Sequence, residues 1–232
     1  MSNDRGLEMV NEFLVYGRLN QEDKRFLEQK NIFTPKFNEF TGYPYPDIQK
    51  TEEEIEVIKE YMTASQTEGV FQRWHDPNFV RDCDFNVKEV LEREYGKMGI
   101  NYSKLESKID KIMYDMGALV MQLKVFYNRP RAYQVAYYTK QDFNPLATIS
   151  GNSPAYPSGH STQSWLMGFF VSGLFPDKQR QVMRLASDIA DTRLALGVHY
   201  PSDQEFGKFI AQKCYNDPRI NKVLYSKKYY SV

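Results

Sequence analysis

The chain has 232 residues, 41% hydrophobic and 26% charged, enough for one domain with a substantial core and too apolar for a disordered segment. Its 30 Lys and Arg match its 30 Asp and Glu, and with no net charge and no basic block nucleic acid is excluded as the main partner. The 17 Tyr and 15 Phe suit a dense core or a stacking-rich pocket equally.

The opening Met1-Ser-Asn-Asp-Arg-Gly-Leu lacks the charged-then-apolar pattern of a secretory signal, and the most apolar stretch, residues 165–175, is too short to span a bilayer. Cys83 and Cys214 make no disulfide framework and read as reduced packing residues. These features lead us to expect a cytoplasmic protein, or a periplasmic or secreted one if a signal has been removed.

Residues 1–50 are polar and irregular, with a short helical piece at 21–29. They end in Phe40-Thr-Gly-Tyr-Pro-Tyr-Pro-Asp47, a surface loop packed by aromatics or a pocket lid. Thr51-Glu-Glu-Glu reads as a capping box opening a helix that runs to about Ser65, with Ile55, Val57, Ile58 and Met62 at helical spacing. The stretch from His75 to Asp84 has a His, a Cys and several carboxylates, but its spacing fits no metal site; a turn leading into a helix over 87–98 is expected. Residues 103–127 form a long helix with Leu105, Ile109, Ile112, Met116, Leu119 and Leu123 on one face, and Pro130 stops it. Further helices are expected over 161–175, apolar nearly all round, 179–198 and 203–214. With no alternating strand pattern and no repeat, the fold class is all-α, a helical bundle. It is read as a single domain over 1–232, with residues 1–102 an N-terminal extension packed on a catalytic core at 103–215.

Three stretches carry chemistry. Pro157-Ser158-Gly159-His160 is a tight turn entering a helix, where a small hydroxyl, free backbone N–H groups and the positive end of the dipole make an anion site. His160 at its edge can move a proton near neutral pH. Lys124-Val-Phe-Tyr-Asn-Arg-Pro-Arg131 puts Lys124, Arg129 and Arg131 at a helix end, more cations than the dipole calls for. Arginine offers a planar fork that matches phosphate oxygens, and lysine a point charge. In Thr192-Arg193-Leu-Ala-Leu-Gly-Val-His199-Tyr-Pro-Ser-Asp203, Arg193 lies in an apolar run, where it is expensive unless it meets an anion. Ser202 with Glu205 reads as a capping box, so Asp203 starts a helix and can turn back to fix the tautomer of His199. An imidazole so held is a competent nucleophile or base.

Lys-x6-Arg, Pro-Ser-Gly-His and Arg-x5-His-x3-Asp, in that order, resemble the signature of the type 2 phosphatidic acid phosphatase and vanadium haloperoxidase superfamily, in particular its soluble branch of bacterial class A non-specific acid phosphatases. The resemblance covers roughly the second half of the chain. Ala132 stands where the family has a proline and Thr192 where it has a serine, and neither change removes a charge.

The resemblance implies a metal-independent hydrolase of phosphomonoesters acting through a phosphohistidine on His199. Asp203 would orient His199, and His160 would protonate the leaving alcohol and then deprotonate water. Lys124, Arg131, Arg193, the Ser158 hydroxyl and the Gly159 N–H would hold the phosphate oxygens, with Arg129 a supporting charge behind them. No cofactor is implied; vanadate would inhibit. In the alternative reading, a haloperoxidase built on the same pocket, vanadate would be the cofactor. The family's haloperoxidases are longer chains, which favours the phosphatase. A membrane lipid phosphatase would need spanning helices, a serine hydrolase using Ser158 would need a nucleophile elbow, and an inactive phosphate-binding or structural protein would have no use for a paired His199 and Asp203. The expected partner is a small phosphoester, with a bell-shaped pH–rate profile on the acidic side.

Overall fold

The run behind Pro157-Ser158-Gly159-His160 becomes the helix at the centre of the molecule. The computed structural model describes residues 21–64 and 73–230. In chain order its helices are α1 (Gln21–Glu28), α2 (Phe37–Phe40), α3 (Ile48–Ala64), α4 (Pro77–Phe85), α5 (Val87–Lys97), α6 (Glu106–Tyr127), α7 (Ala132–Tyr138), α8 (Gly159–Leu174), α9 (Gln179–Ala195), α10 (Pro201–Asn216) and α11 (Pro218–Leu224). Single 3-10 turns join several of them, and there is no strand among the described residues, so the fold is all-α as expected. The sequence-based assignments for residues 1–20 and for Ser65 lie outside the described residues.

Helix α8 lies against α6, α9 and α10. Its Leu166, Met167, Phe170 and Val171 join Ile109, Ile112, Met116, Leu119 and Leu123 of α6, Val182, Leu185 and Ile189 of α9, and Phe206, Ile210 and Cys214 of α10 in one apolar core. Each fully buried side chain of this size contributes about 1.5–3 kcal/mol of transfer free energy, which explains why α8 carries apolar residues toward all three neighbours. Phe33 and Phe40 enter the same core, and Asn31 donates to the Asp115 carbonyl at 2.9 Å, so the N-terminal segment is packed on α6. Cys83 and Cys214 are free and buried. No described helix is long and apolar enough to cross a membrane.

Several helix ends differ from expectation, each for a local reason. Helix α3 starts at Ile48 because the Asp47 carboxylate accepts the Lys50 N–H at 2.8 Å, so Asp47 supplies the cap expected from Thr51. Residues 77–85, expected as a turn, form α4: Asp76 accepts the Asn78 N–H at 2.9 Å and Pro77 takes the first helical position. Helix α6 starts at Glu106 rather than 103, after a 3-10 turn at Tyr102–Lys104, and ends at Tyr127 as expected, where Asn128 in the left-handed region at φ 48° closes it ahead of Pro130. Helix α7, missed in the sequence, follows at once. Helix α9 ends at Ala195, short of the expected 198, where Gly197 turns at φ 74°. Helix α10 begins at Pro201, so the expected Ser202–Glu205 capping box is absent and Asp203 is the third helical residue.

Candidate active site

Two helix starts form the floor of the site. Ser158 caps α8, its hydroxyl oxygen accepting the Ser161 N–H at 3.3 Å, and the helix begins at Gly159. The N–H groups of Gly159 and His160 lie in the first turn, where no intrahelical acceptor exists. The Ser158 N–H donates to the Asp203 carbonyl at 3.0 Å, tying this turn to the first turn of α10. The approach is close at Gly207, where a Cβ would stand 3.0 Å from the Ser158 carbonyl oxygen, so only glycine fits without movement.

His199 is buried between these starts. Its Nδ1 is 2.9 Å from Asp203 Oδ2, and its Nε2 is 2.9 Å from Arg131 Nη1. Asp203 Oδ2 also accepts the Tyr200 N–H at 2.9 Å, so the carboxylate's position at the third residue of α10 aims it back at the imidazole. Burial and then the charges of Arg131, Lys124 and Arg193 hold His199 well below the usual imidazole range, as a neutral ring. Burial pushes the Asp203 carboxyl up, opposed chiefly by Arg129.

The three expected anion-binding cations are brought together, all buried. Arg131 reaches the Ser153 carbonyl through Nε at 2.8 Å and the Val198 carbonyl through Nη1 at 2.5 Å. Lys124 donates to the Pro154 carbonyl. Arg193 donates through Nη1 to Asp84 Oδ1 at 2.8 Å and through Nη2 to Ser150 Oγ at 2.8 Å, while its buried Nε has no hydrogen-bond partner among the described residues. His160, half-buried, donates to the Cys83 carbonyl; burial and then Arg193 push it down to about 3, with Asp84 pulling the other way. The two family departures are benign: Ala132 opens α7, and the Thr192 hydroxyl donates to the Ile189 carbonyl at 2.7 Å, inside its own helix.

Arg129 occupies the far side of Asp203. Its Nη1 lies 2.7 Å from both Asp203 Oδ1 and Ser202 Oγ, and its Nη2 reaches Glu54 Oε2 at 3.0 Å and Thr51 Oγ1 at 3.1 Å. The Tyr200 ring stacks on its guanidinium at 3.8 Å. Thus Glu54 of α3 and Asp84 of α4, both in the segment read as an extension, meet residues of the site directly. Sequence reasoning missed both. A signal existed for Glu54, which shares one helical face with Thr51, Ile55 and Ile58, all buried. For Asp84 the only hint was that Arg193 required an anion.

Residues 113–212 match the family model of the PAP2 superfamily. The chain is 26% identical over 105 residues to a non-specific acid phosphatase of Providencia stuartii, covering 43% of this chain and 41% of the relative. It is 30% identical over 61 residues to an acid phosphatase of Zymomonas mobilis subsp. mobilis, covering 26% and 23% respectively. The chain thus spans well under half the length of these two relatives. The matched segment includes Lys124, Arg131, the turn at 157–160, Arg193, His199 and Asp203. It leaves out Glu54 and Asp84.

Proposed function

We propose that the chain hydrolyses phosphate monoesters without a metal ion, through a phosphohistidine on His199. The observation that carries this reading is the charge arrangement about the imidazole. Arg131 Nη1 stands 2.9 Å from Nε2, and Lys124 and Arg193, both buried, act with their charges on the same imidazole, a cluster of three cations suited to a phosphate dianion. On the Nδ1 side stands Asp203. An anion accepted by Arg193 Nε and the amides of Gly159 and His160 would present its phosphorus to Nε2.

His199 Nε2 then attacks phosphorus as the bond to the ester oxygen breaks. His160 gives its proton to the departing alkoxide. Water next loses a proton to His160 and attacks phosphorus, the P–N bond breaks, and inorganic phosphate leaves. Phosphoryl transfer of this kind needs positioning and charge stabilisation, both of which the cations supply. His160 must be protonated for the first step, although in the empty site burial and then the charges of Arg193 and Lys124 hold it near 3. A bound dianion opposes both effects by placing negative charge beside the ring, and so favours the protonated form. Asp203 stabilises the positive charge that develops on the imidazole.

The test is hydrolysis of an aryl phosphate by the purified chain, with and without a chelator, and with vanadate added. Turnover that survives chelation and is competitively inhibited by vanadate is expected, since a five-coordinate vanadate resembles phosphorus in transit. Activity abolished by the chelator and restored by a divalent ion would reject the reading, as would vanadate conferring peroxide-dependent bromide oxidation in place of inhibition.

A further inference from the structure

We propose that Glu54 is a positioning residue for this reaction, holding Arg129 and the first turn of α10 so that Asp203 keeps its negative charge behind His199. The inference rests on the phosphatase reading and deepens it.

Arg129 is 1% exposed and bridges two carboxylates, Asp203 on Nη1 and Glu54 on Nη2. Had it met Asp203 alone, the two charges would sum to zero, and a neutral pair exerts little field on the neighbouring imidazole. With Glu54 the group carries one net negative charge on the Nδ1 side of His199, across the ring from Arg131 at Nε2. As the N–P bond forms, positive charge grows on the imidazole, and a negative group behind the ring stabilises it where a neutral one would not. Glu54 also fixes geometry. Its Oε1 accepts the Ser202 N–H at 2.8 Å and its Oε2 the Ser202 hydroxyl at 2.7 Å, holding the backbone residue next to Asp203. These contacts bridge 148 positions of sequence and bind α3 to α10. Glu54 touches neither His199 nor the phosphate cations, so it acts through Arg129, Ser202 and Asp203.

The experiment compares Glu54→Gln with Thr51→Ala, which removes one hydrogen bond to Arg129 but no charge. For Glu54→Gln, kcat on an aryl phosphate should fall by about 10–100-fold, as for other outer residues that orient a reacting ligand. The dissociation constant of inorganic phosphate should stay within about two-fold, because Lys124, Arg131 and Arg193 are untouched. For Thr51→Ala, kcat should fall by no more than about three-fold. If Glu54→Gln does not fold, Glu54→Asp carries the test: with the charge kept and the reach shortened, kcat must fall while phosphate affinity holds. A Glu54→Gln enzyme as fast as wild type, or one that loses kcat and phosphate affinity together, overturns the proposal, and so does an equal loss in Thr51→Ala. A wild-type chain with no phosphatase activity rejects the proposed function itself and this inference with it. An active wild type with an indifferent Glu54 rejects the inference alone.

Discussion

Asp84→Asn removes the carboxylate that Arg193 meets in the unliganded protein. Both side chains are almost fully enclosed, at 1% and 0% exposure. Asp84 accepts four hydrogen bonds: from Arg193 at 2.8 Å, Ser150 at 2.6 Å, Thr148 at 2.9 Å and the Ile149 N–H at 2.9 Å. An amide keeps one acceptor oxygen, so at least one donor is left facing an NH2 group. Breaking a buried pair by removing one partner costs about 3–5 kcal/mol, and the retained oxygen places this case near 3. A second route gives a similar size. Burial raises the Asp84 carboxyl, but Arg193 and the hydrogen bonds outweigh it and lower it from 3.8 to about 2. At about 1.4 kcal/mol per unit, that is roughly 2 kcal/mol of stability at pH 7. The Arg193 guanidinium is drawn down by burial and up by Asp84, and because it stays charged throughout, the pH dependence of the pair is the carboxylate's. A carboxyl lowered by folding contributes fully above its unfolded value and loses that contribution as pH falls through the folded value. Urea denaturation followed by circular dichroism should therefore show Asp84→Asn less stable by about 2–3 kcal/mol at pH 7 and at pH 5, with the gap closing between about pH 4 and 2. In melting temperature the loss at pH 7 is about 5–10 °C for a chain of this size. A gap below about 0.5 kcal/mol at pH 7, or one unchanged between pH 5 and pH 3, would refute the assignment of Asp84 as the charge partner of Arg193.

His160→Ala should lose far more activity on alkyl phosphates than on p-nitrophenyl phosphate, because a phenolate leaves without a proton and an alkoxide does not; steady-state rates on the two esters check this, and equal losses would remove His160 as the general acid. Because the empty site holds His160 near 3, binding of vanadate or phosphate at pH 5–6 should take up close to one proton per site beyond that explained by the ligand's own ionisation. Calorimetric titration in buffers of different ionisation enthalpy measures it, and the uptake should vanish in His160→Ala.

The grouping of the candidate site residues was legible where it is local. Lys124 with Arg131, the turn at 157–160, and Arg193 with His199 and Asp203 each sit at a helix terminus and the residues beside it, so spacing alone keeps each group together. The helices were legible too, because α6, α8 and α9 must each bury an apolar face. What was not legible is pairing across distance. Asp84 and Arg193 are 109 positions apart and Glu54 and Ser202 are 148, and no pattern in either stretch names its partner. Glu54 closes the run Thr51-Glu-Glu-Glu, which reads as a capping box at a helix start, and only its register with Ile55 and Ile58 marks it as an inward residue. The start of α3 was missed because a second good cap, Asp47, stands ahead of Thr51, and α4 was missed outright although Asp76 caps it ahead of Pro77.

The claim that His199 is the nucleophile is tested most directly by trapping. The chain is mixed with a phosphate-labelled aryl ester, quenched in alkali within one turnover, and digested. Label should appear on the peptide carrying His199, stable to alkali and released by acid, as a phosphoramidate is, and it should be absent from His199→Ala while remaining in His160→Ala. Label on another residue, acid-stable label, or unchanged trapping in His199→Ala would contradict the account.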